Sequence, residues 1–288
     1  MRIMVTGANG QLGQELVKQL TNSKHDLFAF TKTELDITDT ESVLTVCGDI
    51  KPHIIINAAA YTNVDGAETN EELAFQVNAV GQRNLTVAAE KVGAKICYIS
   101  TDYVFNGQAT SPYNEYMNVD PLGVYGQSKY AGEFLTQTLN TKYFIVRTAW
   151  VYGEYGPNFV KTMLTLAEEK SELGVVHDQV GSPTYTVDLA EFLIELVQTE
   201  KYGIYHCTNS GTCSWYEFAQ EIFKLAKKDI KVVPLTSDQF PRPAKRPAYS
   251  VLGDITLKTN GFKARRHWKE ALKNYLTQNN NEIHVEKY

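Results

Sequence analysis

Tyr125 and Lys129 pair a phenol with an ammonium four residues on, in Val124-Tyr125-Gly126-Gln127-Ser128-Lys129. Of the 17 tyrosines, only Tyr125 has a lysine at that spacing. On a helix, residues i and i+4 share a face, so the ammonium can stand beside the phenol. A nearby positive charge favours phenolate and is expected to pull the usual pKa of about 10 downward. Such a tyrosine can exchange a proton near neutral pH, as carbonyl reduction requires. Alone the pattern is weak, since chance supplies roughly one Tyr-x-x-x-Lys in a chain of this composition.

A second motif gives it weight. Thr6-Gly7-Ala8-Asn9-Gly10-Gln11-Leu12-Gly13 joins an apolar run, Arg2 to Thr6, to a helical pattern, Gln11 to Leu20. Gly7 permits a tight turn, Gly10 lets the backbone approach a pyrophosphate, and Gly13 allows close helix-to-strand packing. The helix N-terminus offers unpaired N–H groups and a positive dipole end to phosphate. Dinucleotide-binding folds that select NAD often carry an acid after the second strand. Here Phe30-Thr31-Lys32-Thr33 stands there, and Lys32 can pair with a 2′-phosphate. NADPH is therefore the expected cofactor, with NADH tolerated; a solvated loop charge is the competing reading of Lys32. Asp36 can bond the adenine end, or Asp36 or Asp39 can cap the helix that follows.

The elements that would position these groups follow from periodicity. Strands are expected at Arg2 to Thr6, Asp26 to Phe30, His53 to Ala60, Lys95 to Ser100 and Tyr143 to Ala149. Helices fall between them, including a long one from about Glu71 to Val92 and one from Tyr125 to Leu139. This alternation predicts an α/β fold, a Rossmann-like doubly wound parallel sheet with a smaller C-terminal substrate-binding lobe. The expected boundaries are 1–150 for the dinucleotide-binding domain, completed by parts of 184–208, and 151–288 for the lobe. In the second half, helices are expected from about Asn158 to Lys170 and from Thr186, with Asp188 in the first turn of the latter. Val175-Val176 and Ile204 to Cys207 read as strands, and Ser214 with Glu217 forms a capping box. The basic, proline-rich segment Pro241 to Pro247 reads as irregular, and the polar tail after Gln278 is expected to fray.

A net charge of −5 argues against non-specific nucleic-acid binding. The four cysteines, Cys47, Cys97, Cys207 and Cys213, lack metal-ligand spacing and fit a reducing cytoplasm. No apolar run reaches the roughly 18 residues of a membrane span, and no signal peptide is evident.

Ser100-Thr101-Asp102-Tyr103-Val104-Phe105 ends the fourth strand and should face the same crevice as Tyr125, where a hydroxyl can bond a substrate carbonyl. With TGANGQLG, NAAAYTNVDGAE (57–68), STDYVFNG (100–107), PLGVYGQSKYAGE (121–133), RTAWVYG (147–153), DQVGSPT (178–184) and RPAYSVL (246–252), the chain resembles the extended short-chain dehydrogenase/reductases. These segments span nearly the whole chain. The resemblance implies NADPH-dependent reduction of the C4 keto group of a dTDP-sugar, dTDP-4-dehydro-L-rhamnose. Tyr125 would donate the proton, Lys129 would assist it and hold the ribose, and Thr101 would position the carbonyl. Gly7, Gly10, Gln11, Leu12, Gly13, Asp36, Ile37, Ala60, Tyr61 and Thr62, with Tyr125 and Lys129, would line the cofactor. Thr101, Asp102, Tyr125 and Trp150 would touch the sugar nucleotide.

Trp150 offers an apolar face and one N–H to a deoxysugar, or else packs where sheet meets lobe. Arg246 can meet the diphosphate, or else buttress the proline-rich loop. Sugar dehydratases of this group need a glutamate after the Thr-Asp pair; Tyr103 stands there, which disfavours dehydration. Some relatives of this group hold magnesium through glutamates at a dimer contact. Glu15 and Glu191 match those positions only loosely and are expected on a solvated helix face, so no metal ligand is assigned. A homodimer is compatible with the resemblance. The rival readings are a sugar-nucleotide epimerase holding NAD tightly and a non-catalytic subunit that keeps the reductase fold.

Overall fold

In a computed structural model, the backbone is described for residues 1–283 and side chains as far as 278. Alternating apolar residues build a sheet buried on both faces. The first half runs β1 (Arg2–Thr6), α1 (Gln11–Thr21), β2 (Asp26–Phe30), α2 (Thr40–Ile50), β3 (Ile54–Asn57), α3 (Val64–Ala67), α4 (Glu71–Phe75), α5 (Gln82–Val92), β4 (Lys95–Thr101), α6 (Val124–Leu139) and β5 (Tyr143–Thr148). On β1 and β3, Ile3, Val5, Ile54 and Ile56 feed one core, while Met4 and Ile55 feed the other. This two-sided burial is why the strands read as continuous apolar runs.

The second half runs β6 (Val151–Tyr152), α7 (Phe159–Glu169), β7 (Glu172–Val176), β8 (Val180–Gly181), β9 (Thr184–Tyr185), α8 (Thr186–Val197), β10 (Gly203–His206), β11 (Cys213–Ser214), α9 (Trp215–Ala226), β12 (Lys231–Leu235), α10 (Ile255–Thr259) and α11 (Trp268–Ile283). β10 returns to the main sheet, which is ordered β10-β5-β4-β3-β1-β2 and parallel throughout. From β1 the chain goes to β2 on one side and to β3 on the other. This reversal opens a crevice at the strands' C-terminal ends. α1 and α8 pack together, as do α2 with α5 and α5 with α6.

While Leu257 and Phe262 from the second half join the main core, a second, aromatic-rich core gathers Tyr152, Tyr185, Phe218, Trp268 and Tyr275. Its parallel pair β7–β12 includes a strand that the sequence reading missed, because Pro234 and the lysines flanking it hide the period. α11 was missed as well, and it carries the helix past Gln278 to Ile283; the rest of the expected frayed tail lies outside the described residues. Ser214 and Glu217 form the expected capping box.

The expected long helix from 71 to 92 is continuous but contains a π-helical stretch, Gln76–Gly81. Glu15 corrects an expectation: it is 2% exposed, on the face of α1 turned inward, rather than on a solvated face. One of its oxygens takes the Gln19 amide at 2.8 Å. Glu191, by contrast, is exposed.

Candidate active site

The glycine turn closes on itself. Gly10 N–H donates to the Gly7 carbonyl at 2.9 Å, and Gly7 takes φ +69°. A Cβ on Gly7 would stand 2.5 Å from the Ala59 nitrogen, and one on Gly13 would overlap the Gly7 carbonyl. Both glycines are therefore required by close backbone approach. A cleft of about 260 Å³ opens here, lined by Gly7, Asn9, Gly10, Lys32, Leu35, Asp36, Ile37, Ala58, Ala59, Ala60, Tyr61, Leu73 and Val77.

Of the expected cofactor residues, the cleft gathers Gly7, Gly10, Asp36, Ile37, Ala60 and Tyr61. Gly13 supports it from behind, and Leu12 is buried in the core. Gln11 points to the second lobe, donating to the Val151 carbonyl at 3.3 Å and accepting from Asn158 at 3.1 Å. Thr62 is exposed beyond Tyr61. The sequence reading missed Leu73 and Val77, whose spacing of four on one helical face was the available signal. The alternatives for the acids resolve. Asp39 caps α2, whereas Asp36 takes the N–H and hydroxyl of Thr38 and faces the cleft.

The π turn locks the cleft wall. Asn78 accepts from Tyr61 N–H at 2.9 Å and donates to the Tyr61 carbonyl at 3.1 Å and to the Ser128 hydroxyl at 3.0 Å. The carbonyl of Asn78 is taken by the Tyr98 hydroxyl at 2.9 Å. Such π stretches free backbone groups, and this one uses them to join helix, sheet and cleft.

Thr101 ends β4 and Tyr125 lies in the first turn of α6, and the Thr101 hydroxyl favours the phenolate of Tyr125. Gly126 lets α6 approach: a Cβ there would overlap the Tyr103 carbonyl. Tyr103 meets Tyr125 edge to face at 5.5 Å. Ser100 points the other way and donates to Glu133 at 2.6 Å. Glu133 is clasped by Arg147 through Nε at 2.8 Å and Nη2 at 2.6 Å, and Arg147 also reaches His206 at 3.3 Å. This buried network underlies the site; sequence reasoning did not find it.

Burial works against the expected acidification of Tyr125. Burial pushes the phenol up to about 12, opposed by Thr101, and Lys129 does not lower it. Burial also pushes Lys129 down to about 7, against the attraction of Glu133, and its ammonium stands 4.1 Å from the centre of the Tyr98 ring. The spacing argument neglected desolvation, which disfavours both charged forms at once. The consequence suits an acid: Tyr125 keeps its proton at neutral pH.

Trp150 sits at φ +49°, a left-handed conformation strained for a tryptophan. Its ring stacks on Trp215 at 3.5 Å, and Gly181 leaves the space it occupies. Arg246 forms a two-point ion pair with Asp65, at 2.7 Å and 3.0 Å, and Arg242 joins the same carboxylate at 2.9 Å. Arg246 therefore ties the proline-rich strap to α3.

Tyr125 and Lys129, also expected at the cofactor, are not among the residues that line the cleft, nor is Thr101. A glycine-turn cleft on a parallel sheet, with Thr101 at the end of β4 and Tyr125 and Lys129 on α6, is the arrangement of a short-chain dehydrogenase/reductase. A family model described as RmlD substrate binding domain matches residues 1–281, and the chain belongs to that family. It is 46% identical to a dTDP-4-dehydrorhamnose reductase of Aggregatibacter actinomycetemcomitans, over 95% of this chain and 97% of that protein. The crystal structure of a dTDP-4-dehydrorhamnose reductase from Clostridium acetobutylicum superposes with a TM-score of 0.95 at 49% identity, covering 96% of this chain and 99% of that one. One from Bacillus anthracis, in complex with NADP, gives 0.95 at 48%, covering 96% and 99%.

Proposed function

We propose that the chain reduces the C4 keto group of dTDP-4-dehydro-L-rhamnose with NADPH, giving dTDP-L-rhamnose for polysaccharide biosynthesis. The observation that carries this reading is the glycine-turn cleft at the C-terminal ends of the parallel strands, with Thr101 ending β4 and Tyr125 in the first turn of α6. The names of the relatives supply the sugar nucleotide, and the NADP in the Bacillus anthracis structure supports the cofactor.

The lining fits a dinucleotide. Gly7 and Gly10 allow a pyrophosphate against the backbone, Asp36 and Ile37 face the adenine end, and Lys32 suits a 2′-phosphate. When bound, NADPH supplies the hydride. Tyr125 gives its phenolic proton to the carbonyl oxygen, and Thr101 holds the phenol in place. Lys129, once charged, stabilises the phenolate left behind. Trp150 presents its indole to the deoxysugar, and Arg246 could reach the diphosphate only by leaving its ion pair with Asp65. Dehydration is disfavoured because burial raises Tyr103 far above any useful acid range. Cys47, Cys97, Cys207 and Cys213 are free, buried thiols, which supports a cytoplasmic setting.

The test follows NADPH absorbance with dTDP-4-dehydro-L-rhamnose and then with other 4-keto-deoxysugar nucleotides. Turnover with the rhamnose precursor is expected. Turnover only with an unrelated ketone would remove the substrate and leave the reductase class.

A further inference from the structure

Tyr125 stands in the first turn of α6, and the end turns of a helix are the ones that fray. The N–H groups of that turn have no partner inside the helix and must find one elsewhere. Here the usual local devices are missing. Gly123, the N-cap, has no side chain to accept them, and the first turn carries no acid. The acceptor comes from 56 residues away: Glu68 Oε1 takes the Val124 N–H at 3.0 Å. A carboxylate there also suits the positive end of the helix dipole. Gly123 leaves the room for it. A Cβ at 123 would stand 2.6 Å from Glu68 Oε1, while the backbone, at φ −130°, is one that any residue adopts.

Glu68 is exposed, so its own burial does not explain where it points. Its backbone is nevertheless fixed. It closes the short helix α3, donating its N–H to the Asp65 carbonyl at 3.3 Å. Asn63 accepts the Gly66 N–H at 2.9 Å, and the Asn70 side chain donates to the Gly66 carbonyl at 2.9 Å. Ala67 is wholly buried beneath the turn. The same turn presents Asp65 to Arg242 and Arg246 of the strap. α3 thus gives one carboxylate to the strap and another to the start of α6.

We propose that Glu68 is a positioning residue: its carboxylate pins the first turn of α6 and so holds the Tyr125 phenol in the geometry that proton transfer requires. The inference rests on the reductase reading above. Glu68 acts through the Val124 N–H, one residue before the phenol. On the other side Tyr125 is already held. Ser128 donates to its carbonyl at 2.8 Å, and Gly126 lies against the Tyr103 carbonyl. The N-terminal side is left to Glu68. A shift of about 1 Å at a reacting group can cost about a hundredfold in rate, so a frayed turn should show in the chemical step.

The test reads the single-turnover rate of NADPH oxidation with saturating dTDP-4-dehydro-L-rhamnose, beside KM and NADPH affinity. Glu68→Ala should lower that rate by about tenfold or more and leave KM and NADPH affinity within about twofold. Glu68→Gln keeps an oxygen within reach of Val124 and should return the rate to within about threefold of wild type. Gly123→Ala evicts the carboxylate from the other side. It should slow the wild type to a similar extent, but change the rate by less than about twofold where Glu68 is already alanine. An unchanged rate in Glu68→Ala, no recovery in Glu68→Gln, or losses at 68 and 123 that add would each overturn the inference. A lower thermal stability with the rate intact would make Glu68 a structural cap and overturn it too. Should Glu68→Ala not fold, Gly123→Ala decides by the same rate. Absence of wild-type turnover with any keto sugar would remove the reductase reading and this inference together, whereas an intact rate in these variants removes the inference alone.

Discussion

Trp150 lies flat on Trp215, with ring centroids 3.5 Å apart and planes 9° from parallel. The stack joins the loop after β5 to the first residue of α9, and both rings pack against the aromatic-rich core. Trp150 is held there at a positive φ, so the stack fixes its indole against its backbone preference.

Trp215→Ala should therefore loosen Trp150 and lower stability by about 1–3 kcal/mol, read by thermal unfolding. KM for the sugar nucleotide should rise by about tenfold, while NADPH affinity is unchanged. Equal weakening of both ligands would place the stack outside substrate binding.

Lys32 lines the cleft together with Asp36, whose carboxyl feels the lysine's charge. Glu34, the nearby acid, is folded back onto Thr31, taking its N–H and hydroxyl at 2.8 Å each. Lys32→Ala should weaken NADPH about tenfold and leave NADH unchanged, by fluorescence titration of each. An equal loss for both cofactors would return Lys32 to a solvated loop charge.

Asp65 anchors the strap. Burial works against its charge, but Arg246, the Ala244 N–H and Arg242 outweigh it and hold the carboxyl at about 2. A depressed pKa stabilises the fold above the unfolded value and loses that contribution as pH falls toward about 2. Urea unfolding between about pH 5 and 2.5 should show a decline of the order of 1–2 kcal/mol that Asp65→Asn lacks. The same decline in both proteins would show that other carboxylates carry it.

The sequence discloses what is local. The glycine turn, the two-sided strands, Asp188 in the first turn of α8 and the Ser214–Glu217 box each depend on residues within a few positions of one another. It hides what is distant. Asp65 meets Arg242 and Arg246 from the far end of the chain, and Ser100, Glu133, Arg147 and His206 come from four elements to form one buried network. The Tyr125–Lys129 pair shows both limits at once. Its spacing is legible, but the direction of its pKa values is set by burial, which i+4 geometry does not report.

The most direct test compares wild type with Tyr125→Phe in NADPH oxidation by dTDP-4-dehydro-L-rhamnose, alongside NADPH binding. The loss of one hydroxyl should lower kcat by at least about a thousandfold and leave NADPH affinity within about twofold. Undiminished turnover in Tyr125→Phe would contradict the assignment of the proton to this phenol.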